Sequence, residues 1–505
     1  MQTNDSTVRD MKRITRRSFL KSSMAGGLAL GMPAIVRGDS PNNSVRVAII
    51  GLGDTKVAGG VGGRGHQLIP HARAVPGVKI VGLCDVDPSF IAREAQAFKN
   101  RGEAVAAWTD LRRVLDDKDI DAVVVATPNH WHALATVWAY QAGKDVYVEK
   151  PFSYDIWEGK QAVAAARKYN RMVQVGMQNR SSELIASIAE GVRNLGPIRY
   201  VHALVYRPRL GIGRVTAPTP VPDTINYDLW CGPARKGPLM RKQLNYEWHW
   251  FWDTGNGEMG NNGIHIIDLC RWLMGQEHPA PRALSIGGRF AFEDCGETPN
   301  TQIALFDYQP APLICESRNV KAPSSPEGIG KYRNLESGMI IDCKGGCFAG
   351  DATGGTFFDK QGKEIKAIKP SYFGDAEALV PRHLANFIEA VRSREKDHLS
   401  AQSLIGYRSV ICCHMANTSH LLGHREQAEA IAESIRASSE LSDAFERCRG
   451  YLRDNDVDLG ATPATLGPWL TFDAQRERFT EGFAEKANAL ARRHYRAPYV
   501  MPEIA

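Results

Sequence analysis

The sequence predicts an α/β chain in two unequal parts: an N-terminal doubly wound parallel sheet, then an α+β domain built on a large, mostly antiparallel sheet. Three observations predict it. Between residues 45 and 176, apolar runs of strand length alternate with helix-length stretches, the pattern of parallel strands covered on both faces. The first of these runs opens into a glycine-rich loop. Beyond residue 176, short apolar runs follow one another with turns between them and few helices, which is antiparallel patterning.

The elements of the first part come in a telling order. The run 45–50 leads into Gly51-Leu-Gly53, and the run 79–84 ends on Asp85. The run 122–126 ends on Thr127-Pro-Asn-His-Trp-His132, and 145–148 ends on Glu149-Lys150-Pro151. Glycines let a backbone turn tightly and approach a pyrophosphate that rests on the N-terminus of the next helix. An acid ending the second strand accepts hydrogen bonds from the adenosine ribose and repels a 2′-phosphate, so Asp85 selects NAD over NADP. Strand, loop, helix, strand and acid in that order read as a Rossmann domain, against the alternative of an ordinary glycine-rich turn. The loop is irregular. From Gly51 to Asp85 is 34 residues, more than the usual spacing of roughly 20 plus a strand, so an insertion falls at 54–61. Gly62-Gly-Arg-Gly-His66 then opens the helix, and Gly63 and Arg64 join Gly51 and Gly53 as cofactor-binding residues.

Ala126-Thr-Pro-Asn-His-Trp-His-Ala133, followed by Val148-Glu-Lys-Pro151, resembles the glucose–fructose oxidoreductase / inositol dehydrogenase family, Gfo/Idh/MocA, over most of the chain beyond about residue 44. Glu-Lys-Pro is the most specific part of the match. The resemblance implies that Lys150 sits beside the nicotinamide and the reacting carbon–oxygen group, with a cis bond before Pro151. It also implies that Thr127, Asn129, His132 and Glu149 line the cofactor, with Gln178 placed among them. A desolvated lysine next to a cationic ring has its pKa pushed down, so it can donate or accept a proton near neutral pH. The competing reading of Lys150 is a solvated lysine at a strand end.

The second chemical motif is Gly255-Asn-Gly-Glu-Met-Gly-Asn-Asn-Gly-Ile-His-Ile-Ile-Asp268. The family carries an Asp-x-x-x-His-x-x-Asp helix here, facing the nicotinamide. His265 is therefore the candidate general base for the hydroxyl proton, the alternative being a histidine packed on the sheet. Asn261, His265 and Asp268 lie three or four apart and share a helix face. Asn261 stands where the family has its first Asp. An amide cannot shuttle a proton, so Asn261 can orient substrate but cannot serve as acid or base.

In the second part, the runs 198–205, 283–286, 301–306, 313–316 and 338–342 read as strands, and 383–391 and 403–412 as helices. Tyr246-Glu-Trp-His-Trp-Phe-Trp-Asp253 places Trp248 and Trp250 at alternating positions just before the His265 helix. Aromatic faces suit the carbon–hydrogen faces of a sugar ring, although a tryptophan-rich core strand has the same pattern. Segments 206–213 and 226–233 read as loops over the cleft; Arg207 and Arg209 can hold a carboxylate or hydroxyls, and Glu247, His249 and Asp253 of the aromatic stretch can bond hydroxyls. Trp248, Trp250, Arg207 and Asp268 are thus the expected substrate contacts.

The N-terminus carries Arg16-Arg17-Ser-Phe-Leu-Lys21 and an apolar run of about fifteen residues, which reads as a twin-arginine export signal. Cleavage after Gly38 is the expectation and an uncleaved membrane anchor the alternative. Export of a folded protein suits one that acquires NAD in the cytoplasm, and it makes the twin-arginine translocase a transient partner and the periplasm the destination. Residues 1–38 hold seven of the Lys/Arg and two of the Asp, five of the chain's six net positive charges. The remainder is nearly neutral, which gives no reason to expect nucleic acid as a partner. Cys343-Lys-Gly-Gly-Cys347 and Cys412-Cys413-His414 lack a spaced partner pair, so no metal site is expected, and a Lys-Gly-Gly hairpin accounts for the first. The expected organisation is a signal at 1–38, the NAD-binding domain at 44–175, a substrate and oligomerisation domain at 176–423, and a helical, then extended tail at 424–505.

Together these features predict an exported NAD-dependent oxidoreductase acting on a sugar, cyclitol or glycoside, assembled as a dimer or tetramer as the resemblance implies. Two rivals stand beside it. One is redox-neutral glycoside cleavage with a recycled cofactor, which export and Asn261 favour. The other is a sugar-binding module with a vestigial cofactor, which intact Lys150 and His265 oppose.

Overall fold

The structure is a computed structural model that describes residues 44–57, 62–321, 328–369 and 375–504. The expected export signal lies outside the described residues, as do positions 58–61 of the expected loop insertion.

Six strands form the first sheet: β1 (Val45–Ile50), β2 (Val78–Cys84), β3 (Ala106–Trp108), β4 (Ala122–Val125), β5 (Asp145–Val148) and β6 (Val173–Val175), in the order β3-β2-β1-β4-β5-β6. All five pairings are parallel. β4 and β5 are buried at every position, and β1 at all but one, which is why they read as continuous apolar runs. The strand order reverses between β1 and β4, and a crevice opens there beyond the strand ends, where α/β sheets bind ligands. Side-chain caps fix three helix starts around it: Asp87 accepts from Ser89 N, Asp110 from Arg112 N and Asp155 from Glu158 N.

The second sheet has twelve strands among the described residues. They are β7 (Ile198–Tyr206), β8 (Arg282–Gly288), β9 (Thr301–Phe306), β10 (Leu313–Arg318), β11 (Ser337–Cys343), β12 (Gly346–Asp351), β13 (Gly354–Asp359), β14 (Glu364–Ile368), β15 (His424–Glu426), β16 (Ala464–Leu466), β17 (Leu470–Asp473) and β18 (Arg478–Thr480). β7 and β10 pair in parallel and the other pairings are antiparallel. Cys343 and Gly346 face each other across the β11–β12 turn, so the Cys-Lys-Gly-Gly-Cys stretch is a hairpin.

Each sheet face has its own cover. Val201, Ala203 and Val205 of β7 face the core that includes the helices Ile185–Asn194, Ile264–Leu273 and Ser403–Leu421. Leu204 and Tyr206, on the other face, pack with Ile431, Leu441, Phe445 and Tyr451 from the helices Ala428–Ile435 and Ser439–Arg453. The segment 424–505 therefore differs from a separate tail: it supplies β15 to β18 and one cover of the sheet. Its last residues return to the first domain, where Arg493 N donates to Asp155 Oδ2 at 2.9 Å and the Tyr499 ring meets Trp131 edge-on at 5.5 Å.

Candidate active site

A cleft of about 370 Å³ runs from the ends of β1, β2 and β4 to the start of the helix Ile264–Leu273. Its floor is the glycine loop. Gly51 has φ +88°, and a Cβ there would lie 2.7 Å from the backbone of Ala126 and Thr127, so only glycine lets β1 turn this close to β4. Gly53, Gly63 and Arg64 line the same wall. Gly63 precedes the helix Arg64–Arg73, which has no side-chain cap; the Leu52 carbonyl takes the His66 N–H at 3.0 Å, and the N–H groups of Arg64 and Gly65 face an anion's place at the helix start.

Asp85 lines the cleft but spends most of its acceptor capacity on the loop. Its Oδ2 accepts from Leu52 N (2.7 Å) and Gly53 N (3.1 Å), and its Oδ1 from Asp87 N (3.0 Å). Burial raises its carboxyl pKa while these backbone donors pull it back. The acid that the sequence reserves for a ribose thus also holds the glycine loop in shape.

Glu149, Lys150 and Pro151 follow β5, and the Lys150–Pro151 bond is cis. Glu149 is buried and takes Arg64 Nε at 2.8 Å. His132 ties the two strand ends together, its Nδ1 lying 2.7 Å from the Pro151 carbonyl and its Nε2 2.7 Å from the Thr127 carbonyl. Asn129 Nδ2 donates to Asn256 Oδ1 at 3.0 Å. Lys150 Nζ donates to the Asn261 carbonyl (2.7 Å) and to Asn261 Oδ1 (2.9 Å). Burial pushes the Lys150 ammonium down to about 8, with Glu149 opposing the shift.

Asn261 sits in a π-turn, Met259–Gly263, that runs straight into the helix bearing His265. Such single-turn bulges re-aim side chains and often occur at functional sites. Asn261, His265 and Lys150 all line the cleft. Burial, reinforced by the Lys150 charge, holds His265 well below its ordinary pKa, so its ring is neutral at neutral pH. Its Nδ1 is buried without a partner.

The cleft fits a dinucleotide in more than shape. Thr127 Oγ1 and Gln178 Oε1 line it and are buried without hydrogen-bond partners among the described residues. Buried polar atoms seldom stay unsatisfied, so this hydroxyl and this amide oxygen suit a polar ligand. The uncapped helix start, the glycine approach and Asp85 complete a set that suits the phosphates and ribose of NAD.

The expected substrate residues divide. Arg207 and Trp248 line the cleft, the latter stacked on His249 with ring centroids 3.5 Å apart. The Trp248–Trp250 stretch is a 3₁₀ turn, Glu247–Trp250, where the alternation suggested a strand. With three residues per turn, Glu247 and Trp250 are both buried, and Trp250 lies behind the wall, 5.8 Å from the Arg209 guanidinium. Asp268 does not reach the cleft. Its carboxylate is 1% exposed, grips Arg180 through two hydrogen bonds (2.7 and 2.8 Å) and accepts from Ser409 at 2.6 Å. Its partners come from distant elements, so the spacing to His265 gave no warning.

Arg209 and His249, which the sequence offers as hydroxyl contacts, line the cleft together with Tyr246. Arg209 pairs with buried Glu258 at 3.1 Å, and Asn262 donates to the same carboxylate. Val86, Phe90, Ile225, Trp230 and Leu244 line the cleft as well. Segment 226–233, read as a loop over the cleft, holds the short helix Tyr227–Cys231 capped by Asn226.

Comparison with known proteins agrees with this geometry. Residues 45–177 match a family model for an oxidoreductase family with an NAD-binding Rossmann fold, and residues 211–309 match that family's C-terminal alpha/beta domain. An uncharacterized oxidoreductase, YrbE of Bacillus subtilis, is 28% identical over 218 residues, 43% of this chain and 53% of its own length. A glycosyl hydrolase family 109 protein of Saccharopolyspora erythraea is 33% identical over 172 residues, 31% of this chain and 38% of its own length. The levoglucosan dehydrogenase of Pseudarthrobacter phenanthrenivorans is 26% identical over 228 residues, 44% of this chain and 50% of its own length. The chain thus spans about half or less of the curated relatives it matches. Among solved structures, a levoglucosan dehydrogenase complexed with NADH and levoglucosan superposes with a TM-score of 0.54 at 17% identity, covering 74% of this chain and 96% of that one. The WlbA dehydrogenase of Bordetella pertussis, complexed with NADH and UDP-GlcNAcA, gives 0.51 at 20% identity, covering 74% and 95%. At these identities the likeness is one of fold.

Proposed function

We propose that this chain is an oxidoreductase of the Gfo/Idh/MocA family, whose models match residues 45–177 and 211–309, and that it oxidises a ring hydroxyl of a sugar, cyclitol or glycoside, with Lys150 and His265 handling the proton. One observation carries the reading: a lysine whose burial brings it to about 8 lines the same cleft as a neutral histidine, and Asn261 steers the lysine amine. Bound NAD supplies the hydride acceptor. Arg64, Glu149, Thr127 and Gln178 line the cofactor side, while Trp248 offers an apolar face and Arg207 a cation to the substrate. Two of the three Lys150 N–H donors are taken by Asn261 when the amine is charged. The third is free for a substrate oxygen, and the neutral amine accepts the hydroxyl proton. His265 is neutral throughout and is the second acceptor.

The sign of the pH dependence follows. Oxidation needs the unprotonated amine, so kcat for oxidation rises with pH through about 8 and levels above it, whereas the reductive direction falls over the same interval. A kcat profile flat from pH 6.5 to 9.5, on the order of three units wide, would remove Lys150 from proton transfer.

A second reading has its own support in Asn261, which cannot pass a proton where an acid is the family habit, and in the relative named as a glycosyl hydrolase. In redox-neutral cleavage the same two bases act in turn. They take the hydroxyl proton, then the carbon-bound proton that the new neighbouring carbonyl makes acidic; the glycosidic leaving group departs with a proton, water adds across the double bond so formed, and the held hydride then returns to the carbonyl. Export through the twin-arginine route, supported by Arg16, Arg17 and the apolar run behind them, suits either chemistry. A homo-oligomer, proposed from the family resemblance, would use surface other than the sheet face that the helices Ala428–Ile435 and Ser439–Arg453 cover. The deciding experiment follows nicotinamide absorbance while purified protein with added NAD consumes a panel of sugars, cyclitols and glycosides. One NADH per molecule converted supports the dehydrogenase. Cleavage with no net NADH supports the second reading.

A further inference from the structure

The end of the cleft away from Lys150 is walled by a part of the chain that the chemistry above does not use. Segment 222–244 places Ile225, Trp230 and Leu244 in the lining that Val86, Phe90 and Leu111, which follow β2 and β3, also form. Val86 packs directly against the apolar cluster of Ile225, Trp230, Cys231, Leu239 and Leu244. This is the end at which Asp85 stands, where the adenosine of a dinucleotide lies in a Rossmann domain.

The segment is fastened on two sides. On the Rossmann side, Trp131 Nε1 donates to the carbonyls of Leu229 (3.1 Å) and Trp230 (3.2 Å), and His130 Nε2 lies 2.9 Å from the Trp230 carbonyl. Gly232 is packed against the Trp131 indole so closely that a Cβ would overlap it. On the outside, the C-terminal strand of chain closes over it. Arg496 donates to Asp228 Oδ1 (2.6 Å) and to the carbonyls of Asp228 (2.7 Å) and Gly232 (2.9 Å). Tyr499 donates to Asp228 Oδ2 at 3.0 Å and sets its ring on Trp131. Lys236 also reaches Asp228, at 3.3 Å.

We propose that segment 222–244 is a strap over the adenosine end of the NAD cleft, held shut by Arg496 and Tyr499 as positioning residues, so that release of the bound dinucleotide is slow. The inference rests on the NAD-binding reading of the cleft and is independent of the substrate. Release of a dinucleotide from under the strap requires the strap to lift, and lifting it breaks the Arg496 fork and the Tyr499 contact together. Arg496 and Asp228 are only partly buried, so removing them loosens the strap without emptying a core.

The test is made on the full protein purified from its expression host. After exhaustive dialysis, NAD is released with acid and counted, and exchange against radiolabelled NAD is then timed by filtration. The wild type is expected to carry close to one NAD per chain and to exchange it slowly. Arg496→Ala, and separately Asp228→Asn, are expected to exchange at least about tenfold faster, because affinity changes of this kind fall mostly on dissociation. At an unchanged thermal midpoint, the KM for added NAD should rise with kcat preserved, a split that a general loss of structure would not produce. Wild-type protein that binds NAD but exchanges it as fast as it is mixed overturns the strap alone. Variants that release NAD at the wild-type rate do the same. Protein that binds no NAD at all overturns the cleft reading with it.

Discussion

Lys150→Ala should lower turnover by roughly 10²–10⁴-fold, the usual worth of a positioned proton-transfer group, while the protein still binds NAD. The lysine's amine meets Asn261 and the open cleft, and its removal leaves Arg64, Glu149 and the glycine loop in place. The loss should therefore appear in kcat, with the KM for NAD little changed. Lys150→Arg should not restore the rate, because a guanidinium stays charged across the working pH range and cannot accept the proton. Steady-state kinetics on the purified variants, with NAD binding read by quenching of tryptophan fluorescence, checks both statements. A Lys150→Ala enzyme with near-normal kcat would remove the lysine from the chemistry.

Asp268→Ala should act on stability instead. The carboxylate is buried and holds the Arg180 guanidinium, itself 11% exposed, through two hydrogen bonds, with Ser409 as a third donor. Removing one partner of such a pair strands a charge in the interior, at a cost of about 3–5 kcal/mol. The thermal and denaturant midpoints should fall accordingly, whereas the KM for substrate, measured where the variant is still folded, should hold. If Asp268→Ala instead raised the substrate KM with no loss of stability, the carboxylate would belong to the site after all.

These two residues mark what could be read in the chain beforehand. The place of Lys150 and His265 in the cleft wall was legible because each lies in a short motif whose neighbours are also local: Glu149 and Pro151 beside the lysine, Asn261 one helical turn before the histidine. The parallel strands were legible because burial on both faces leaves uninterrupted apolar runs, as in β4 and β5. Asp268 was not, because a helix face is wide enough to serve two neighbours and its partner Arg180 is 88 positions away. Trp250 misled for a different reason: alternation of large residues fits a strand, but a 3₁₀ turn buries every third residue. β15, β16 and β18 are three residues each, too short to show any period. They join the sheet because β8 offers an edge to β16 and β17, on which β15 and β18 then pair, which is a property of the fold and not of their own sequence. The strap was half visible: 226–233 read as a loop over the cleft, but its clasp at Arg496 and Tyr499 comes from the far end of the chain.

The central claim is that a ring carbon gives its hydride to bound NAD with Lys150 taking the proton. Rapid mixing of NAD-loaded protein with substrate, watched at the nicotinamide absorbance band, tests it most directly. The account predicts a reduction transient in the wild type, lasting in a dehydrogenase and reversed in a redox-neutral enzyme, and its suppression in Lys150→Ala at equal NAD loading. Substrate consumed by the wild type with no nicotinamide reduction at any time would contradict it.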